Sequence, residues 1–251
     1  MRYAPPLAGV AVTLALWVLV GLLFQSHPRF AAFRGLTIEP TFTAFGRLVA
    51  SGDAWHAAGP SLSRVVQGLA WSFAIGAPIG LAIGSFDFIE RMAQLPFQIL
   101  RMVSPLAWMP IAVLVFPSWD SAIVFLIAAA AIWPIMFATA AAVKRIDPLW
   151  LAMARNLGGS KFSVLTAVVI PAVLQEILTG LRLALGVAWI VLVPAEFLGV
   201  TSGLGYAIND ARDTLSYDRL AALVLLIGII GYVFDAFISA AIAKTRWTPT
   251  A

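Results

Sequence analysis

Cysteine and charge are what this sequence has least of. The chain has 251 residues and no cysteine, which excludes disulfide scaffolds, thiol catalysis and metal sites with cysteine ligands. Only 11% of its residues are charged, against about 25% in an ordinary soluble domain. The mean hydropathy is +0.95, and too few polar side chains remain to cover a soluble globule. The composition predicts an integral membrane protein, with room for roughly five to seven helical spans.

Histidine is almost as scarce. His27 and His56 are the only two, and both precede the second predicted span, which disfavours histidine-rich metal sites and most Ser/His hydrolases. The net charge is +4, a value that also suits nucleic-acid binding. In a membrane protein, a modest excess of lysine and arginine is typical of cytoplasmic loops instead. We therefore expect no metal site and no nucleic-acid partner.

Six apolar segments predict six membrane spans. They lie at about 7–24, 65–86, 93–116, 121–143, 172–200 and 220–243. A cleaved signal peptide is the alternative for the first segment, but its long apolar run favours an anchor that stays. Pro105 and Pro110 predict a kink or break in the third span. The second span carries small residues that predict close packing on another helix, namely Gly68, Gly76, Gly80 and Gly84.

The segments between the spans set the orientation. Residues 41–51 predict a short amphipathic helix, and residues 87–91 predict a polar turn. All three lysines lie in the 144–171 loop or at the C-terminal end, which is one face if there are six spans. The positive-inside rule makes that face cytoplasmic and puts both termini there. Arg29, Arg34 and Arg47 fall on the opposite face and count against this orientation.

The 144–171 loop carries local signals for two short helices. Asp147 and Pro148 predict a helix start, because Asp suits the N-cap and Pro the first helical position. Gly158 predicts the helix end after Leu157, and Ser160 predicts a cap for a second helix leading into the fifth span.

An apolar stripe is predicted on the first of these helices. Leu149, Met153 and Leu157 recur every four residues and share one face, with Arg155 elsewhere on the helix. Such a stripe suits docking to a soluble partner, and it equally suits resting on lipid headgroups. From the residues alone both interpretations remain open.

The loop resembles the EAA loop of ABC-importer permeases, whose pattern is E-A-A-x3-G-x9-I-x-L-P. Here the pattern falls on residues 152–154, Gly158 and residues 168–171. Ala152 replaces the acidic residue and Met153 the first alanine, while Gly158 and Pro171 are kept. Further segments resemble the nitrate/sulfonate/taurine/bicarbonate branch in order, at 61–68, 76–80, 101–110, 179–189, 194–196 and 202–206. Phe116 is followed by Pro117, where the branch usually has Phe-Gly.

The resemblance implies an all-α, polytopic type I ABC importer permease with about six transmembrane helices in a prokaryotic inner membrane. It implies a second permease copy, two ATP-binding subunits and a periplasmic or lipid-anchored substrate-binding protein as partners, with lipid around them. ATP and Mg would bind the partner ATPase, and this chain would bind no cofactor. The sequence contains no GxxxxGK[ST] phosphate loop, in keeping with a permease that is not itself an enzyme.

Domains and site residues follow from the same resemblance. It implies an anchor and outer segment at 1–60, a permease core at 61–245 and a cytoplasmic tail at 246–251. The candidates for the ATPase-coupling loop are Ala152, Met153, Ala154, Arg155, Leu157, Gly158 and Pro171. The candidates for the translocation path are Arg101, Pro105, Trp108 and Glu196.

Each charge within a span has a structural alternative. Arg101 could line the path and attract an anion, pair with Glu196 or Asp235, or snorkel to the membrane interface. Glu196 could form part of a gate or make a structural hydrogen bond. For Arg182 we expect a bond to a neighbouring helix, and for Asp235 an arginine partner.

Three other functions remain as alternatives. A secondary transporter is disfavoured because no self-similarity relates two halves of the chain. A membrane-embedded enzyme is disfavoured because the core spans lack Cys, His and paired carboxylates. The branch favours a small anion such as nitrate, sulfonate, taurine or bicarbonate, but it also includes importers of neutral heterocyclic precursors.

Overall fold

The computed structural model describes residues 4–26 and 28–245, and every regular element in those ranges is helical. His27 and the predicted tail 246–251 lie outside the described residues. The α-helices are α1 (Ala4–Ser26), α2 (Ile38–Ser51), α3 (Asp53–Ser85), α4 (Asp87–Met102), α5 (Met109–Val115), α6 (Trp119–Lys144), α7 (Pro148–Asn156), α8 (Lys161–Val164), α9 (Ile170–Gly199), α10 (Leu204–Asp213) and α11 (Tyr217–Thr245). Pro28–Leu36 and Pro105–Trp108 are 3₁₀ segments, and Leu165–Val169 is a π-helical turn.

Five helical segments of the described chain are long and apolar enough to cross a membrane: Ala8–Ser26, Asp53–Ser85, Trp119–Lys144, Lys161–Gly199 and Tyr217–Lys244. The pair α4 and Pro105–Val115 makes a sixth, bent by 86° at its break. This confirms the predicted break beside Pro105. The predicted polar turn at 87–91 is wrong, because those residues begin α4, where Asp87 and Glu90 favour a helix N-terminus.

The chain forms two compact units. One comprises residues 1–61 and 196–230, and the other residues 62–195 and 231–251. The functional division into 1–60, 61–245 and 246–251 stays a prediction.

Helix α6 is the core of the second unit and buries twelve of its 26 residues. The predicted glycine face of α3 packs against it. A Cβ at Gly80 would lie 2.5 Å from the Met136 carbonyl oxygen, so the two backbones are in direct contact. Gly180 of α9 makes a similar approach, with its Cβ position 3.0 Å from the Pro134 carbonyl oxygen. Glycines on α3 and α9 therefore let both helices pack closely against α6.

The direction of these contacts bears on the number of crossings. Gly68 packs on Ile127 and Gly84 on Val143, so α3 and α6 run parallel. Two parallel spans need one return crossing between them, and the bent pair is the only long apolar segment available in residues 86–118. We therefore count the bent pair as one span, which gives six.

The first unit joins α1, α2 and the start of α11. Trp17 Nε1 donates a 2.9 Å hydrogen bond to the Leu36 carbonyl, and Arg47 pairs with Asp218 at 2.9 Å. Helix α2 buries Thr41, Ala44 and Leu48 on one side. This confirms the predicted amphipathic helix, which begins three residues earlier than expected.

Replacing Gly80 with alanine tests the close approach of α3 to α6. We expect Gly80→Ala to lower the free energy of unfolding by about 1–3 kcal/mol, because the new methyl overlaps backbone atoms. Titration with a denaturing detergent in mixed micelles measures this. Gly186→Ala in α9 is the matched control, since nothing lies within 4 Å of its Cβ position. Equal stability of the two variants would contradict the packing argument.

Candidate functional site

The coupling-loop candidate folds as its local signals predict. The Asp147 side chain accepts a 2.9 Å hydrogen bond from the Leu149 backbone N–H, and Pro148 occupies the first helical position. Helix α7 ends at Asn156, and Gly158 follows with φ +82°. The Gly159 N–H then bonds the Ala154 carbonyl at 3.0 Å. The predicted start and end of this helix are therefore confirmed.

The second half of the loop leads directly into the span. Ser160 Oγ accepts from the Ser163 N–H at 3.1 Å and caps α8, as predicted. The π-helical turn follows, with the Ile170 N–H bonded to the Leu165 carbonyl. Pro171 comes next, and the wider turn suits a residue without an N–H donor.

The apolar face of α7 is open to its surroundings. Leu149 is 67% exposed, Met153 62% and Leu157 86%, and no residue of α7 is buried. Trp150 and Phe162 are also exposed. Ala152 and Arg155 are exposed as well, while Ala154 is half-buried. The described chain thus presents a capped helix with an uncovered apolar stripe between two spans.

Arg101 lines a cavity of about 480 Å³ between α4 and α6. Its guanidinium lies 5.2 Å from the centre of the Phe137 ring. The cavity is also lined by Glu90, Gln94, Gln98 and Lys144. Of the alternative partners considered for Arg101, Asp235 pairs with Arg182 instead.

These four other polar residues of the cavity are not among the residues predicted for the path. A spacing signal exists for three of them: Glu90, Gln94 and Gln98 recur every four residues along α4, and Arg101 follows three later. Lys144 carries no such signal, since it enters from α6. The cavity therefore combines two cations, one carboxylate and two amides.

A second, mostly apolar cavity of about 250 Å³ lies at the break after α4. Pro105 and Trp108 both line it, and so does Trp133. Phe97 lines both cavities and meets Trp133 edge-on, with the ring centres 5.6 Å apart. Three of the four path candidates, Arg101, Pro105 and Trp108, thus lie along one run of cavities.

Glu196, the fourth path candidate, is fully buried in the first unit and lines neither cavity. The Ser61 hydroxyl lies 2.8 Å from both of its carboxylate oxygens, and the Gly205 N–H donates to it at 2.9 Å. Ser61 Oγ in turn accepts from the Leu204 N–H at 2.8 Å. The carboxylate therefore holds the start of α10, where a negative charge is favoured by the helix dipole.

Arg182 and Asp235 form a bidentate ion pair between α9 and α11. Arg182 Nη2 lies 2.7 Å from Asp235 Oδ2, and Nε contacts Oδ1. Both expectations, a neighbouring helix for Arg182 and an arginine for Asp235, are confirmed. Glu176 instead faces Arg145, at 3.7 Å.

A known protein family matches most of the helices described above. Residues 75–247, which include the loop and both cavities, match the family described as the binding-protein-dependent transport system inner membrane component. The chain belongs to this family. Membership confirms the resemblance to importer permeases and the type I ABC importer permease fold.

Family members in three transport systems are similar to this chain. The bicarbonate transport system permease protein CmpB of Synechococcus elongatus is 38% identical over 181 residues, which cover 71% of this chain and 65% of that protein. The taurine transport system permease protein TauC of Escherichia coli is 31% identical over 241 residues, covering 96% and 87%. The nitrate import permease protein NrtB of Synechocystis is 30% identical over 246 residues, covering 93% and 86%. The match thus spans just under two thirds of the first of these proteins and most of the other two.

The anchor around Glu196 can be tested at Gly203, which has φ +113° and ψ 170°. A Cβ there would lie 2.5 Å from the Glu196 carboxylate. We expect Gly203→Ala to lower the free energy of unfolding by more than about 2 kcal/mol, through backbone strain and this clash together. Gly52→Ala is the control, because Gly52 also has a positive φ, +84°, but nothing within 4 Å. Detergent-induced unfolding compares them, and equal losses would contradict the anchoring role.

Proposed function

We propose that this chain is the transmembrane permease subunit of an ATP-driven importer, that its substrate is a small anion, and that it hydrolyses nothing itself. The observation that carries the proposal is the capped, uncovered helix α7 between two spans of a binding-protein-dependent permease fold. The names of relatives in bicarbonate and nitrate systems support the anionic substrate, and the taurine system agrees in that taurine carries an anionic sulfonate group.

The loop is the contact for the ATP-binding subunits. Leu149, Met153 and Leu157 form the stripe that inserts into the partner, and Gly158 with Gly159 lets the chain turn back to the membrane. A helix lying on lipid headgroups is rich in cations beside its apolar face, whereas α7 contains only Arg155. Docking to a soluble subunit is therefore the better explanation, with ATP and Mg bound on that subunit.

The cavities beside α4 and the helix break form part of the path. The cations Arg101 and Lys144 and the carboxylate of Glu90 give the cavity lining a net charge of +1. The amides of Gln94 and Gln98 add uncharged hydrogen-bond donors. An anion entering this space gains charge-assisted hydrogen bonds. Trp108 and Pro105 shape the next stretch, and Glu196 contributes by holding α10 rather than by contacting substrate.

The working complex comprises two permease copies, two ATP-binding subunits and a substrate-binding protein on the outer face. Both termini and the coupling loop face the cytoplasm of a prokaryotic cell. ATP binding brings the ATP-binding subunits together, displaces the loops and shifts the spans from inward-open to outward-open. The bent α4–α5 span is an element at which such a change can occur.

A charge placed on the stripe tests the docking surface. We expect Leu157→Asp to abolish co-purification of the ATP-binding subunits, because burying an unpaired carboxylate in an apolar contact costs several kcal/mol. The variant should still fold, since Leu157 is 86% exposed. Affinity purification followed by size-exclusion chromatography measures both.

Leu215→Asp is the matched control for that experiment. Leu215 is also an exposed leucine, at 69%, and lies in the loop between α10 and α11. Its variant should retain the full complex. Survival of the complex in Leu157→Asp would overturn the docking assignment and, with it, the main support for the importer.

Replacing Arg101 tests the path. We expect Arg101→Gln to weaken the apparent affinity for the transported anion about 10- to 100-fold, the value of one charge-assisted hydrogen bond, and Arg101→Lys to weaken it less. Uptake by proteoliposomes of the complete complex, tried with bicarbonate, nitrate and taurine in turn, measures this. Arg91→Gln is the control, because Arg91 lies on the same helix but does not line the cavity. Unchanged uptake in Arg101→Gln would exclude Arg101 from the path.

A further inference from the structure

We propose that the ion pair between Glu90 and Lys144 is the link that transmits displacement of the coupling loop to the polar cavity. This inference rests on the proposed function and names two positioning residues for it. Lys144 is the last residue of α6, and it belongs to both regions at once: it lines the cavity and stands just before the loop.

Two neighbouring cations, at the end of α6 and the start of the loop, form ion pairs with two different helices. Lys144 contacts Glu90 in the first turn of α4, and the adjacent Arg145 lies 3.7 Å from Glu176 near the start of α9. All four side chains are partly exposed, between 37% and 68%. The junction is therefore held from both sides by groups that can separate and rejoin without leaving a buried unpaired charge.

The junction itself is short and hydrogen-bonded. Only Arg145 and Ile146 separate the end of α6 from the Asp147 cap of α7. Their N–H groups bond the carbonyls of Ala142 at 3.0 Å and Val143 at 3.2 Å. Because no flexible segment intervenes, a displacement of α7 reaches Lys144 directly.

Helix α4 is the element able to respond. No residue of α4 is buried, and its apolar contacts with the cluster of Ile83, Met136 and Ala140 come from half-buried Ile89, Ala93 and Phe97. Helix α6, in contrast, packs closely against glycines of both α3 and α9. Because the body of α6 is held in this way, a displacement of the Lys144 side chain at its end is passed to Glu90 and moves α4 relative to the rest of α6.

Movement of α4 changes the cavity itself. Gln94, Gln98 and Arg101 are carried by α4, whereas Phe137, Ala140 and Ala141 on the facing wall belong to α6. Arg101 lies about 16 Å along the axis from Glu90, at 1.5 Å per residue. A small rotation of α4 about its loosely packed middle would thus shift the Arg101 guanidinium relative to the Phe137 ring. The link joins loop position to the shape of the anion site.

Charge reversal tests the link in the complete complex of permease, ATP-binding subunits and binding protein in proteoliposomes. The variants are Glu90→Lys, Lys144→Glu and the double exchange. We expect each single reversal to lower substrate transported per ATP hydrolysed by about fivefold or more, the lower end of measured couplings between sites. The double exchange should recover at least half of the loss. Co-purification of the ATP-binding subunits should persist in all three, since the docking stripe is untouched.

A matched exchange at Arg47 and Asp218 is the control. This pair is also exposed, at 2.9 Å, but joins α2 to α11 in the other compact unit. Its single reversals should change the transport-to-hydrolysis ratio less than about twofold, as expected for a partly exposed pair that lines neither cavity.

Two results would overturn the proposal: a wild-type ratio in the single reversals, or a double exchange no better than either single. In either case the wild-type complex still couples transport to ATP hydrolysis, so the proposed function stands. Absence of ATP-dependent uptake in the wild type would instead overturn the function and the link together.

Discussion

The backbone contact between α3 and α6 is the constraint on which the second unit depends. In a bilayer there is no hydrophobic force between helices, because lipid tails are as apolar as leucine, so close packing must hold them together. At Gly80 the absence of a Cβ lets α3 touch the carbonyl of Met136, and Gly180 lets α9 touch that of Pro134. With α6 fixed in this way, its end determines where the coupling loop begins, and Phe137 presents a fixed wall to the cavity.

Much of the coupling loop could be predicted from the sequence, because the forces that shape it are local. Asp147 with Pro148, Gly158 and Ser160 each act on backbone groups within a few residues, and each behaves as expected. The spans and the glycine face follow equally from composition and spacing. The predicted turn at 87–91 fails because a short charged segment also suits the first turn of a helix.

What the sequence could not supply is which distant side chains meet. Glu196 and Ser61 are 135 positions apart, and the contact between them depends on helix adjacency that no local pattern encodes. The polar cavity escapes prediction for a different reason. An apolar span with a single charge is expected around Arg101, although Glu90, Gln94, Gln98 and Arg101 recur at helical spacing. Amphipathicity within the span is the signal that identifies this row of polar side chains.

The ion pair between Arg182 and Asp235 has a consequence for biogenesis. The ribosome makes Arg182 53 residues before its partner, so α9 reaches the membrane while the guanidinium has no counter-charge. An unpaired arginine near the centre of a span costs about 2.5–3.5 kcal/mol on insertion scales. The last helix therefore brings the counter-charge to a span made before it. A chain truncated before Asp235 would lose more than the last helix, since it would also leave Arg182 of an earlier span without its carboxylate partner.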